Sequence, residues 1–182
     1  MTVQQLAEAA GAGDPETVRR LLADEPSLGR EYTEQGWSAL HLAATPEIAA
    51  MLLDAGADIN ARNRHKFAGP GNSPLSAAVY QQRNDVVRLL IECGADGNQG
   101  DNAGWTPLHL AAANGYVESA RILLEAGAHP DARTSEVGGR RWGNKTPLEL
   151  LSDSERKRDD GTLVPSETDA EMSALMREFG AT

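Results

Sequence analysis

The feature that most limits what this 182-residue chain can become is a phrase that recurs along it. It reads Gly36-Trp37-Ser38-Ala39-Leu40-His41-Leu42-Ala43-Ala44, then Asn72-Ser73-Pro74-Leu75-Ser76-Ala77-Ala78, then Gly104-Trp105-Thr106-Pro107-Leu108-His109-Leu110-Ala111-Ala112, then Asn144-Lys145-Thr146-Pro147-Leu148-Glu149-Leu150-Leu151. Where the chain is regular, a second apolar segment ending in Gly-Ala follows: Leu52 to Ala57, Leu90 to Ala95 and Leu123 to Ala128. The phrase is a helix start. A Ser or Thr hydroxyl at the N-cap accepts from a backbone N–H two or three residues on, and Pro fits the first helical position, where its missing N–H costs no hydrogen bond. Thr146 and Glu149 have capping-box spacing, and His41 and His109 hold the same third position with a ring that can hydrogen-bond. Gly56, Gly94 and Gly127 stand where the second helix must stop, and glycine takes the left-handed C′ conformation without a Cβ penalty. Each unit is two short helices and a loop, and such units bury a continuous core by stacking on one another.

The Thr-Pro-Leu-His phrase, the paired helices and the Gly-Ala-Asp endings resemble the ankyrin repeat, whose usual period is about 33 residues. Pro74 and Pro107 are that far apart, and the resemblance runs from Leu6 to Gly180. It implies an all-α ankyrin repeat solenoid of about five helix-turn-helix repeats with β-finger loops. The expected organisation is one domain over residues 1–182, with repeats at 1–33 (N-cap), 34–66, 67–100, 101–133 and 134–182 (C-cap). Thr17 and Arg20 replace the core residues Val86 and Leu89 of an internal repeat, and Ser173 and Arg177 replace Val87 and Ile91, as polar capping repeats require. Departures from the period locate irregular segments. Residues are missing around Ala43-Ala44-Thr45-Pro46-Glu47, extra ones enlarge the following finger and the finger at Arg133 to Gly143, and an insertion at 152–165 separates the last two helices. That insertion is expected to be exposed.

Repeats of this kind generally bind through finger tips and inner helices, which line a concave surface. By register with Trp105, the finger position is held by Trp37, Asn72 and Lys145, while Tyr80 and Gln81 align with Ala113 and Asn114 on inner helices. Phe67 and Trp142 lie in the enlarged fingers. Of eight aromatics, five (Trp37, Phe67, Tyr80, Trp105, Trp142) fall on this face, which suits an interface anchored by aromatics. For Trp37 and Trp105 a purely structural role, packing against a neighbouring finger, stays equally open. The candidate partner-binding residues are these aromatics with Asn72, Gln81, Asn102 and Asn114 and the finger cations Arg64, Lys66, Arg133, Arg140, Arg141 and Lys145.

Charge sharpens the expectation. The chain carries a formal −10 with pI near 4.8, yet the segments Asn60 to Ser73 and Asp131 to Thr146 sum to +5, leaving −15 elsewhere. A basic finger edge on an acidic body orients an acidic protein partner, and the arginine fork suits carboxylates. The whole molecule repels phosphate backbones and anionic lipid. Nucleic-acid or polyanion binding through the basic fingers is therefore the second reading, and an enzyme the third. No GxxxxGK[ST] loop occurs, the four histidines and one cysteine have no metal-ligand spacing, and Cys93 sits at a helix C-terminus where the dipole disfavours a thiolate. No cofactor, metal or catalytic residue is expected. No apolar run of about 18 residues occurs and no signal-like start is present, so the expected location is cytoplasmic, away from membranes, with a monomer as the expected state.

Overall fold

The computed structural model describes residues 2–64, 71–135, 143–153, 156–157, 163–164 and 167–182. The helices come in pairs, as the phrase predicts: α1 (Val3–Ala12) and α2 (Pro15–Asp24), α3 (Ala39–Leu42) and α4 (Pro46–Asp54), α5 (Pro74–Tyr80) and α6 (Asn84–Glu92), α7 (Pro107–Asn114) and α8 (Val117–Glu125), then α9 (Pro147–Asp153) and α10 (Glu167–Glu178). A 3-10 turn, Pro26–Arg30, follows α2. Between α9 and α10, β1 (Arg156–Lys157) and β2 (Leu163–Val164) form a two-residue antiparallel ladder. No described helix is long and apolar enough to cross a membrane.

The helix starts obey local chemistry. Thr2, Asp14, Thr45, Ser73 and Thr106 each accept from the backbone three residues on. Thr146 and Glu149 form the reciprocal box that their spacing predicts, Thr146 N donating to Glu149 Oε2 at 2.9 Å and Glu149 N to Thr146 Oγ1 at 3.2 Å. Gly56, Gly94 and Gly127 stop α4, α6 and α8 at φ of +84°, +90° and +87°.

Two compact units divide the chain, Met1–Asp96 and Gly97–Thr182. In the first, the inner helices α1, α3 and α5 pack in succession and the outer helices α2, α4 and α6 do likewise. Leu6, Leu40 and Leu75 fill the inner layer, and Val18, Leu21, Ile48, Leu52, Val87 and Leu90 close the outer one. In the second, α7 packs on α8 and α9, and α10 covers α8 and α9. Its core is Leu108, Ala111, Ala120, Leu123, Leu150, Met172 and Met176.

The side-chain ladder at the Gly-Ala-Asp loops was not foreseen. Asn60 Oδ1 accepts from Asp96 N at 2.9 Å in the first unit, and Asn98 Oδ1 accepts from His129 N at 2.8 Å in the second. Asp131, at the next equivalent position, accepts from Thr182 N at 3.1 Å. Each rung satisfies a backbone N–H that no helix or strand would otherwise use.

The deletion after α3 leaves that helix four residues long, and its C-terminal carbonyls need partners. The third repeat supplies them. Gln81 Nε2 donates to His41 O at 3.2 Å, and Arg83 Nη1 donates to Leu42 O at 2.6 Å and Ala43 O at 2.9 Å. On the other side Ala44 N reaches back to Ala10 O at 3.0 Å.

Candidate functional site

Four finger loops rise from the helix starts. In finger 1, Thr33 N donates to Trp37 O at 2.8 Å, Gly36 N to Thr33 O at 2.8 Å, and Tyr32 bridges Ser38. Finger 3 repeats the motif with Asp101 N on Trp105 O at 3.0 Å, and Asp101 Oδ1 accepts from Ala103 N and Trp105 N. The described ends of the two long fingers close the same way, Asn63 N on Asn72 O at 2.9 Å and Thr134 N on Lys145 O at 3.0 Å. Neighbouring fingers are joined by Arg64 N to Gly36 O at 2.8 Å and by Ser135 N to Ala103 O at 2.8 Å.

At α3 and α7 a buried histidine ties the helix start to the following finger. His41 Nε2 is 2.9 Å from Asn72 O and its Nδ1 2.8 Å from Ser38 Oγ; His109 Nε2 is 3.0 Å from Lys145 O and its Nδ1 2.7 Å from Thr106 Oγ1. A carbonyl only accepts, so Nε2 carries the proton and Nδ1 accepts from the hydroxyl. Burial pushes His41 down from 6.5 to about 4 and lowers His109 in the same direction, against the pull of carbonyl acceptors that favour the charged ring. Both rings are neutral at pH 7. The third copy of the phrase has Ser76 in the ring's place, 3.3 Å from Ser73 Oγ.

The predicted residues divide by environment. Trp37 and Trp105 are half-buried and lie against these rings, edge-on at 5.4 Å from His41 and tilted at 6.1 Å from His109. A share of each indole is thus structural. Gln81 spends its amide on His41 O and Ala77 O, and Asn114 donates to Leu110 O at 2.8 Å. Arg133 is tied to Asn144 O at 2.9 Å and to Glu149 at 3.3 Å. Asn102 is exposed at the tip of finger 3, and Lys145 is half-buried. Asn72 is half-buried, with its Oδ1 out of water and without a hydrogen-bond partner. Tyr80 stands 63% exposed at the end of α5, and Arg64 is exposed beside finger 1. Lys66, Phe67, Arg140, Arg141 and Trp142 lie outside the described residues, as does most of the 152–165 insertion.

Sequence reasoning missed Tyr32. Its ring lies under the Arg64 guanidinium, 3.8 Å from centroid to Cζ. Nothing in the repeat phrase marks this position, because the partner is 32 residues away on another finger.

A family model described as "Ankyrin repeats (3 copies)" matches residues 4–63 and again 64–134. Protein phosphatase 1 regulatory subunit 27 of Homo sapiens is 44% identical over 66 residues, 36% of this chain and 43% of that protein. The Nuclear factor NF-kappa-B p105 subunit of Gallus gallus is 31% identical over 173 residues, 91% of this chain and 16% of that protein. E3 ubiquitin-protein ligase XBAT33 of Arabidopsis thaliana is 33% identical over 168 residues, 88% of this chain and 32% of that protein. The chain spans less than half the length of each of these relatives. With two family matches that together take in most of its length, and with paired helices, capped starts and fingers where the repeat requires them, the chain belongs to the ankyrin repeat family.

Proposed function

We propose that this chain is a non-catalytic protein-binding module, an adaptor, scaffold or inhibitor, that engages a folded partner through its fingers and inner helices. The observation that supports this most directly is Tyr80. It is the most exposed large apolar side chain among the described residues, and it stands at the C-terminal end of an inner helix rather than on an outer one. A rigid aromatic gives large contact area at low entropic cost and is a frequent interface anchor. Within the same unit, α3 and α5 carry no Asp, Glu, Lys or Arg, so docking there desolvates few ions.

The partner we favour presents an acidic surface to the finger cations. The polyanion reading needs a continuous track of available cations, and Arg133 is committed to Glu149 while Arg83 is committed to the end of α3. Relatives named as a regulatory subunit and as a ubiquitin ligase fit the idea of a module that brings partners together. The exposed thiol of Cys93 suits a reducing compartment such as the cytoplasm.

Affinity capture from an extract of the source cells tests the reading, with the wild type beside a Trp37→Ala/Tyr80→Ala variant whose fold is verified by circular dichroism. A protein retained by the wild type and lost by the variant is the expected result. Equal recovery by both would show that the partner uses another surface.

A further inference from the structure

Arg64 differs from the other described finger arginines in what its guanidinium does. Arg62 reaches Gly71 O at 3.5 Å and Arg133 is held by Asn144 O and Glu149. The Arg64 guanidinium sits over the Tyr32 ring, with Cζ 3.8 Å from the ring centroid, and makes no ion pair with a described acid. Its backbone is fixed as well, since Arg64 N donates to Gly36 O and the preceding Asn63 is buried, with its Oδ1 accepting from Gly71 N at 2.9 Å. The ring covers one side of the guanidinium at its central carbon, and the planar fork has five N–H donors to offer a ligand. A fork held this way loses little freedom when it binds, which is what makes an anchor effective.

We infer that the Arg64–Tyr32 stack is a recognition point for a carboxylate, an Asp or Glu side chain on the surface of an acidic protein partner; this rests on the interface reading above and gives that interface its chemistry. Charge complementarity chooses this ligand over a phosphate chain. Finger 1 carries Glu31 and Glu34, both exposed, on either side of Tyr32 and Thr33. An isolated carboxylate reaches Arg64 between them, while a run of phosphates would have to pass two like charges. Two parallel N–H···O bonds then form between the fork and the carboxylate, and the positive face remains on the Tyr32 ring.

The test uses the full chain, labelled with nitrogen-15, and an N-acetylated, C-amidated Gly-Gly-Glu-Gly-Gly peptide, which carries one carboxylate, as the probe. Titrations at matched ionic strength follow the arginine Nε–Hε signals, while the backbone amide spectrum reports the fold. The expected result is a saturable shift centred on Arg64. Arg64→Lys keeps the charge but loses the fork and weakens the peptide about tenfold. Tyr32→Leu weakens it about threefold, and Tyr32→Phe restores it because the ring face is back. Absence of a saturable Arg64 shift overturns the inference. So does equal weakening by Arg64→Gln and by Arg20→Gln on α2, which would mean general charge attraction, or tighter binding of inorganic phosphate or an oligothymidylate at Arg64. Capture with Arg64→Lys separates this inference from the reading beneath it. A partner lost by Trp37→Ala/Tyr80→Ala but kept by Arg64→Lys leaves the surface intact and removes the anchor, whereas a partner kept by both variants removes both.

Discussion

Acidification from pH 7 to pH 5 destabilises this protein through His41, and the loss can be worked out from its surroundings. In the unfolded chain the ring titrates near 6.5, and in the fold burial pushes it down to about 4. The folded state therefore binds a proton less readily than the unfolded one, so stability present above pH 6.5 drains away as the pH falls through the folded value. The gap corresponds to about 3 kcal/mol at full protonation, of which about 2 kcal/mol is gone by pH 5. The cost has a visible origin: with both nitrogens protonated, Nδ1 can no longer accept from Ser38 Oγ, and a charge sits out of water. Urea unfolding at the two pH values, for the wild type and for His41→Gln, isolates the effect, because the carboxylates are common to both proteins. The wild type is expected to lose about 2 kcal/mol more than the variant between pH 7 and 5. Parallel losses would refute the reasoning. His109 is lowered in the same direction by the same cause, so replacing both rings should flatten the response further.

Three substitutions probe other parts of the argument by thermal or urea unfolding. Arg83→Met keeps the side-chain stem but removes the donors from Leu42 O and Ala43 O, and should cost about 1–3 kcal/mol with faster amide exchange at α3; an unchanged midpoint would show that water caps that helix as well. Gln82, at φ 54°, occupies the left-handed position that Gly115 fills in the next repeat, so Gln82→Gly should stabilise by about 0.5–1 kcal/mol once strain relief is set against the entropy of glycine. Gly104→Ala places a methyl 2.8 Å from Ser135 N at φ +77° and should cost more than Gly94→Ala, where φ is similar and nothing lies within 4 Å; equal costs would mean that the finger yields freely.

The parts of this molecule set by local chemistry were legible in its sequence. N-caps, proline starts, glycine stops and the Thr146–Glu149 box act over three or four residues, so spacing alone reveals them. The shortening of α3 was legible too, as residues missing after Ala43. Its consequence was not, because Gln81 and Arg83 cap that helix from some 40 residues away. The candidate surface split along the same line. Register put Tyr80 on an inner helix, where it stands exposed, and Trp37 and Trp105 at equivalent finger positions. It had no access to the histidine rings against which the two indoles pack, or to the pairing of Arg64 with Tyr32, since both depend on which finger lies beside which.

The histidine rings also bear on how the molecule comes apart. His41 grips a carbonyl of the following finger while its other nitrogen holds the hydroxyl of Ser38, just before its own helix, and His109 does the same in the second unit with Thr106, whose hydroxyl also caps α7. A finger cannot swing out without releasing the helix start of the repeat before it. In nearest-neighbour language the free energy resides at the boundary between repeats more than inside them. Release of either finger is then coupled to fraying of the helix start to which its carbonyl is tied.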